Sequence, residues 1–195
     1  MIKVTTNISE TTVRLGAWVA KVGGAGRRMI YSRATYHVAN LVRNHLLRLG
    51  SWKHIWAERL GAQPTGFLQE AGRKTTSHAS ENGGEVVIPA PLGRAFHDVE
   101  IRPKRWEFLT IPASREAYGR RAAVLAAHGW KIWKPKGKKF LMGSVNGEDP
   151  KILYWLKESV RQRQDRSLLP DDKSMQEAAN AGVIAALTEM RRRAS

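Results

Sequence analysis

The stretch FLMGSVNGEDPKILYWLKESV, Phe140 to Val160, decides the fold of this chain. Two apolar runs, Phe140-Leu141-Met142 and Ile152 to Val160, stand on either side of Asn146-Gly147. Asn-Gly accepts the left-handed backbone that a tight hairpin turn requires, so the runs read as antiparallel strands. Upstream, Lys131-Ile132-Trp133 and the dipeptide Lys136-Gly137 read as one more strand and its turn. Three further strand candidates each run into a proline, which has no N–H to give a central ladder. They are Glu85-Val86-Val87-Ile88 before Pro89, Val99-Glu100-Ile101 before Pro103, and Trp106 to Ile111 before Pro112.

Helical spacing brackets this strand-rich middle. From Arg27, the positions Ile30, Ala34, Val38, Leu41, Val42, His45 or Leu46, and Leu49 recur every three to four residues, with Gly50 placed as the C-cap. Before it, Thr5 to Val22 carries a rougher helical stripe that Gly23-Gly24-Ala25-Gly26 breaks. Thr65 is placed to cap a shorter helix, roughly 66–79. Leu168-Leu169-Pro170-Asp171-Asp172 opens a last helix, with Met175, Ala178, Ala179, Val183, Ala186, Leu187 and Met190 as its apolar face. Arg191-Arg192-Arg193 closes that helix, where the dipole favours cations. The expected fold is α+β: an antiparallel sheet packed with a long N-terminal helix and a C-terminal helix. One domain is expected over 1–195, helical to about residue 80, strand-rich from about 85 to 160, and helical again over about 171–193.

With 195 residues, 42% of them hydrophobic, the chain can bury a core. It has no cysteine, which leaves out disulfides and thiolate metal sites. The opening MIKVTTNISETTVRLG has no long apolar core of a signal peptide, and no run approaches the roughly 18 apolar residues of a membrane span. A reducing cytosol is the expected setting, without membrane contact, and Asn7-Ile8-Ser9 is then no glycosylation site. Charge is the loudest signal, at a formal net +16. Residues 1–60 are net +8, 61–101 net −2, 102–139 net +9 and 140–195 net +1. Two basic blocks flank a slightly acidic middle, the field of a protein with a polyanionic neighbour.

Catalytic patterns are weak. FLTIPASREAYGRR, Phe108 to Arg121, passes from strand to a polar segment holding Ser114, Tyr118 and three arginines. Ser114 has no nucleophile elbow and no histidine in a recognisable partner pattern, so a strand end is favoured over a catalytic loop. Phe108 to Ile111 is expected to be a buried strand, so that Asp at Leu109 or Ile111 prevents folding. Tyr118 before Gly119 reads as a ring packed at a turn. His37, His45, His54, His78, His97 and His128 make no ligand spacing. Asp98 and Glu100 followed by Lys104 touch on the pattern of a Mg²⁺-dependent nuclease, but Pro103 intervenes and no second acidic cluster matches. No catalytic residue, metal ligand or cofactor is therefore assigned. Gly23 to Gly26 lacks the Lys-Ser/Thr of a phosphate cradle and reads as a hinge, though Arg27 and Arg28 can still meet an anion.

The remaining candidates are basic and aromatic. Arg115, Arg120 and Arg121 are read as facing DNA or a partner, as are Lys131, Lys134, Lys136, Lys138 and Lys139. Trp130 and Trp133 lie among those lysines; such interleaving suits stacking on single-stranded bases or a subunit interface. A non-specific nucleic-acid-binding protein is the alternative this pattern keeps open.

The order of landmarks resembles the neck or tail-completion (minor tail) proteins of long-tailed bacteriophages. The residues carrying the resemblance are His54-Ile55-Trp56, Thr65-Gly66-Phe67, a Val-Val-Ile strand, and Ile101-Arg102-Pro103. Leu109-Thr110-Ile111-Pro112, Ala117-Tyr118-Gly119, Leu153-Tyr154-Trp155-Leu156 and Leu168-Leu169-Pro170 complete it, over most of residues 25–190. These motifs are short and not catalytic, and the region from Trp130 to Lys139 departs from the pattern. The resemblance implies a non-enzymatic structural protein of the virion at the head–tail connector, made in the host cytoplasm and carried into the neck. It further implies a homo-oligomeric ring, sixfold by the symmetry of phage tails, that meets other neck and tail proteins and double-stranded DNA in the channel.

Overall fold

The computed structural model describes residues 23–52, 55–89, 92 and 98–194, with the backbone alone at 51, 52, 55, 56 and 194. The stripe of Thr5 to Val22, His54 and His97 lie outside the described residues, as do the side chains of Trp52 and Trp56. The fold is α+β. Its contacts gather into two compact units, one formed by the described residues of 1–51, 68–96 and 165–195, the other by those of 52–67 and 97–164.

The first unit is built on α1 (Gly24–Trp52) and α5 (Asp172–Ala194). The predicted spacing along α1 buries Ile30, Val42, Leu46 and Leu49. Near its start, Ile30 packs with Ala186 of α5, flanked by Val183, Leu187 and Met190. Near its end, Val42, Leu46 and Leu49 join Ala71, Ile88, Leu92 and Leu168 in a second cluster. The helix does not stop at the expected cap: Gly50 lies inside it and is buried. A Cβ there would stand 3.0 Å from the Gln69 amide nitrogen, so this glycine serves close packing against α3 (Phe67–Arg73). Asp171 accepts the Ser174 N–H at 2.9 Å and caps α5, and this bond holds its carboxyl below the usual range.

The expected helix over 66–79 is corrected. Only α3 is helical, and Thr76–Ser80 is strand β1, paired antiparallel with β2 (Gly83–Val87). Thr75 marks the change: buried, it donates its hydroxyl to the Ala71 carbonyl while its own carbonyl accepts from Arg43. β-branched Thr75 and Thr76 favour the extended chain, and Glu81-Asn82 make the two-residue hairpin turn, with Gly83 opening β2 opposite Ser80.

The second unit holds α2 (Ile55–Arg59), the short pair β3 (Val99–Ile101) and β8 (Val160–Gln162), and a four-stranded antiparallel sheet. That sheet has the order β4-β7-β6-β5, from β4 (Leu109–Pro112), β7 (Lys151–Lys157), β6 (Phe140–Ser144) and β5 (Lys131–Trp133). Asn146 at φ 50° and Gly147 at φ 79° make the turn between β6 and β7 that the dipeptide promised. The run read as one strand to Val160 breaks after Lys157, so β8 pairs with β3 instead of extending β7.

A bulge organises this sheet. Leu141 faces Tyr154 and Met142 faces Ile152, so Leu153 is the extra residue. Two consecutive residues, Leu153 and Tyr154, then bury on one side with Ala117 and with Leu125 of α4 (Ala122–Ala127). Trp130, Ile132 and Leu141 pack against that cluster, and the Tyr154 hydroxyl donates to the Arg120 carbonyl at 3.0 Å. By register the other side of the sheet carries Ile111, Trp133, Phe140, Met142, Ile152 and Trp155. The strand expected over Trp106 to Ile111 is shorter: it starts at Leu109, and Trp106 is 82% exposed. β4 is an edge strand with half-buried Leu109 and Ile111, not a buried one. The lesion that stops folding therefore belongs on β7.

Candidate functional site

The polar segment after β4 is a structural turn. Ser114 Oγ accepts the Ala117 N–H at 3.3 Å, a cap on the turn that carries Ala117 into the core. Glu116 pairs with Lys151 at 2.8 Å; the lysine holds the Glu116 carboxyl below its usual range, and Glu116 holds Lys151 above its own. Lys151 also lies over the Trp130 ring, 5.2 Å from its centroid. Ser114→Ala is expected to cost about 1 kcal/mol, the worth of one cap. Thermal unfolding checks it; an unchanged midpoint would mean that the bond to the Ala117 N–H adds nothing to stability.

Asp98 and Glu100 are also engaged. Asp98 Oδ1 accepts the Gln164 N–H at 2.8 Å, and Glu100 pairs with Arg102 at 3.1 Å. Bonds from Ser159 and Arg102 keep the Glu100 carboxyl below the usual range. Among the described residues, no three His, Asp or Glu side chains gather as a metal donor set. His45 and His128 bond backbone carbonyls, of Ser167 and Val124 respectively.

The basic candidates separate into groups. Arg115, Arg120, Arg121, Lys131, Lys134, Lys136 and Lys138 are exposed and make no salt bridge to a described residue. Lys139 differs, pairing with Glu158 at 2.7 Å. Lys134 reaches the Phe108 ring, 4.8 Å from its centroid, which joins the end of β5 to the start of β4 across the rim of the sheet. Residues 52–67 and 97–164 hold 17 Lys/Arg against 8 Asp/Glu, net +9, so this unit carries more than half of the +16. Arg27 and Arg28 lie near the start of α1 in the other unit, and the Arg27 Nε is buried without a described acceptor.

The two tryptophans read as a pair are not alike. Trp130 packs on the core under Lys151, whereas Trp133 is 38% exposed. The reason is parity: Ile132 shares the core side with Trp130, and Trp133 takes the opposite one. Trp155, 43% exposed, stands on the side of Trp133 and meets Phe140 edge to face at 5.9 Å. Its place was hidden in the sequence because the bulge interrupts the alternation of Leu153-Tyr154-Trp155-Leu156.

Fold and surface together define an α+β protein with a strongly cationic second unit. No family model, no curated protein and no solved structure matches the chain. Among the described residues, no helix is long and apolar enough to cross a membrane.

Proposed function

We propose that this chain is a non-enzymatic part of a long-tailed phage virion, a neck or tail-completion protein whose copies close into a ring and present cations to DNA. The observation carrying this reading is the set of seven exposed cations from Arg115 to Lys138 that, among the described residues, have no carboxylate partner. Such crowding raises the local potential, and a polyanion offsets it. The motifs behind the resemblance add support, since Leu109-Thr110-Ile111-Pro112 is β4 and Leu153 to Leu156 lies in β7, side by side with Ile111 opposite Trp155. So does strand order: β4 and β5 are the two sheet edges, and strand directions alternate between them. β4 of one copy can therefore continue antiparallel from β5 of the next, a head-to-tail contact that rotation closes into a ring.

Native mass spectrometry of the purified chain is expected to show a closed ring without DNA, and electron microscopy of virions to place it at the head–tail junction. A chain that stays monomeric and is missing from particles sinks the reading. Lys134→Ala/Lys136→Ala/Lys138→Ala is expected to reduce the salt slope of duplex DNA binding by about 2–3, since each lost phosphate contact removes about 0.9. An unchanged slope would take these lysines off the DNA.

A further inference from the structure

From the sheet we infer a separate binding surface: the side of the four-stranded sheet opposite its core, built on Trp133, Phe140 and Trp155, takes single-stranded nucleic acid by base stacking. Three observations carry this. The aromatic rings are clustered: Phe140 and Trp155 are directly opposed across β6 and β7, while Trp133 opposes Met142, two residues along from Phe140. Diagonal neighbours of that kind lie about 7–8 Å apart, within reach of large rings. Second, Trp133 and Trp155 are 38% and 43% exposed and share one side of the sheet, so together they form an apolar patch open to solvent. Third, Lys131 stands on this side beside Trp133, and Lys157 beside Trp155, while no paired position on it is a carboxylate.

Those charges select the occupant. A second copy laid face to face would bring lysines against lysines with no acid opposite, a repulsive contact. A polyanion complements them. A duplex, however, offers phosphates at its surface and keeps its base faces stacked inside, so the rings would gain nothing. Unpaired bases offer π-faces of every sequence, and the flanking lysines follow the phosphates. The Lys134-to-Lys138 loop remains available to a duplex. The inference does not depend on a place in a virion, because the purified chain must show it alone.

The test is fluorescence anisotropy of the full chain with labelled oligo(dT) of ~16 nucleotides, the upper site size of a single-strand-binding fold, and with a duplex of equal length. Oligo(dT) is expected to quench tryptophan emission and to bind more tightly than the duplex. Trp133→Ala/Trp155→Ala is expected to weaken oligo(dT) by roughly 30–100-fold and duplex by less than about twofold, whereas Trp133→Phe/Trp155→Phe keeps most of the affinity. Equal binding of both probes, or an alanine pair that still holds oligo(dT), overturns the inference. If circular dichroism shows the alanine pair misfolded, Lys131→Glu/Lys157→Glu decides: it must weaken oligo(dT) by at least about tenfold, and unchanged affinity overturns the inference equally.

Discussion

Gly182→Val is expected to melt about 6–12 °C below the parent chain, the shift for overpacking of about 3 kcal/mol in a protein this size. Gly182 is the point where α5 meets α1. A Cβ there would stand 2.5 Å from the Arg33 carbonyl oxygen and 2.7 Å from the Ala34 Cα. Both are backbone atoms inside a long helix, so neither can swing aside, and the two helices would have to part. Parting them also loosens Ile30 from Ala186 and stretches the Arg33–Glu189 ion pair, 2.7 Å long. Gly24→Ala is the matched control. Its added Cβ would lie 2.6 Å from Glu81 Oε2, the far end of a flexible side chain that can rotate away. Helix propensity then favours alanine by up to about 1 kcal/mol, so Gly24→Ala should melt at or above the parent. Calorimetry on both variants decides. A Gly182→Val chain as stable as the parent would mean that α1 and α5 do not touch at this point.

The contrast shows which features the sequence exposes. Periodicity found α1 and α5 because their buried positions, Ile30 to Leu49 and Met175 to Ala186, recur at helical spacing. It also found β5, β6 and the Asn146-Gly147 turn, where local chemistry fixes the backbone. What it missed is set by partners distant in sequence. Gly50 looked like a cap because a glycine after a helical stripe usually is one; only the approach of Gln69 shows it to be a packing glycine. Thr76 to Ser80 follows a true helix closely enough to be absorbed into it, and its turn, Glu81-Asn82, is not the Asn-Gly pair that marks the β6–β7 turn. α4 was hidden behind the arginines of the preceding turn, with only Ala-Ala-Val-Leu-Ala-Ala to mark it. For the surface, charge was legible and geometry was not. The lysines of 131–139 announced themselves by density, while the neutralisation of Lys139 by Glu158, nineteen residues away, did not. Nor did the burial of Trp130.

Leu153→Ala is expected to cost about 3–4 kcal/mol, in the middle of the range for emptying a fully buried leucine site. Strand parity sets the size of this cost. In an unbroken β7, Leu153 would share a side with Trp155, and its truncation would cost about 1 kcal/mol or less, as at a half-exposed position. The bulge opposite Leu141 and Met142 turns Leu153 inward beside Tyr154, where it is buried with Ala117 and Leu125. Little can collapse into the vacancy, because α4 and the Ser114–Gly119 turn are held by their own backbone bonds, Leu125 N–H to the Arg121 carbonyl and Arg120 N–H to the Ala117 carbonyl. Tyr154→Phe calibrates the effect: it keeps the ring and removes only the bond to the Arg120 carbonyl, for about 1 kcal/mol. Urea unfolding of the three chains ranks them, Leu153→Ala lowest. The same bulge puts Ile152 on one side of the sheet with Trp155, so it shapes the exposed aromatic surface and the core together. Should Leu153→Ala unfold at the parent's urea midpoint, β7 would be regular, Leu153 would face outward, and both sides of this sheet would have to be reassigned.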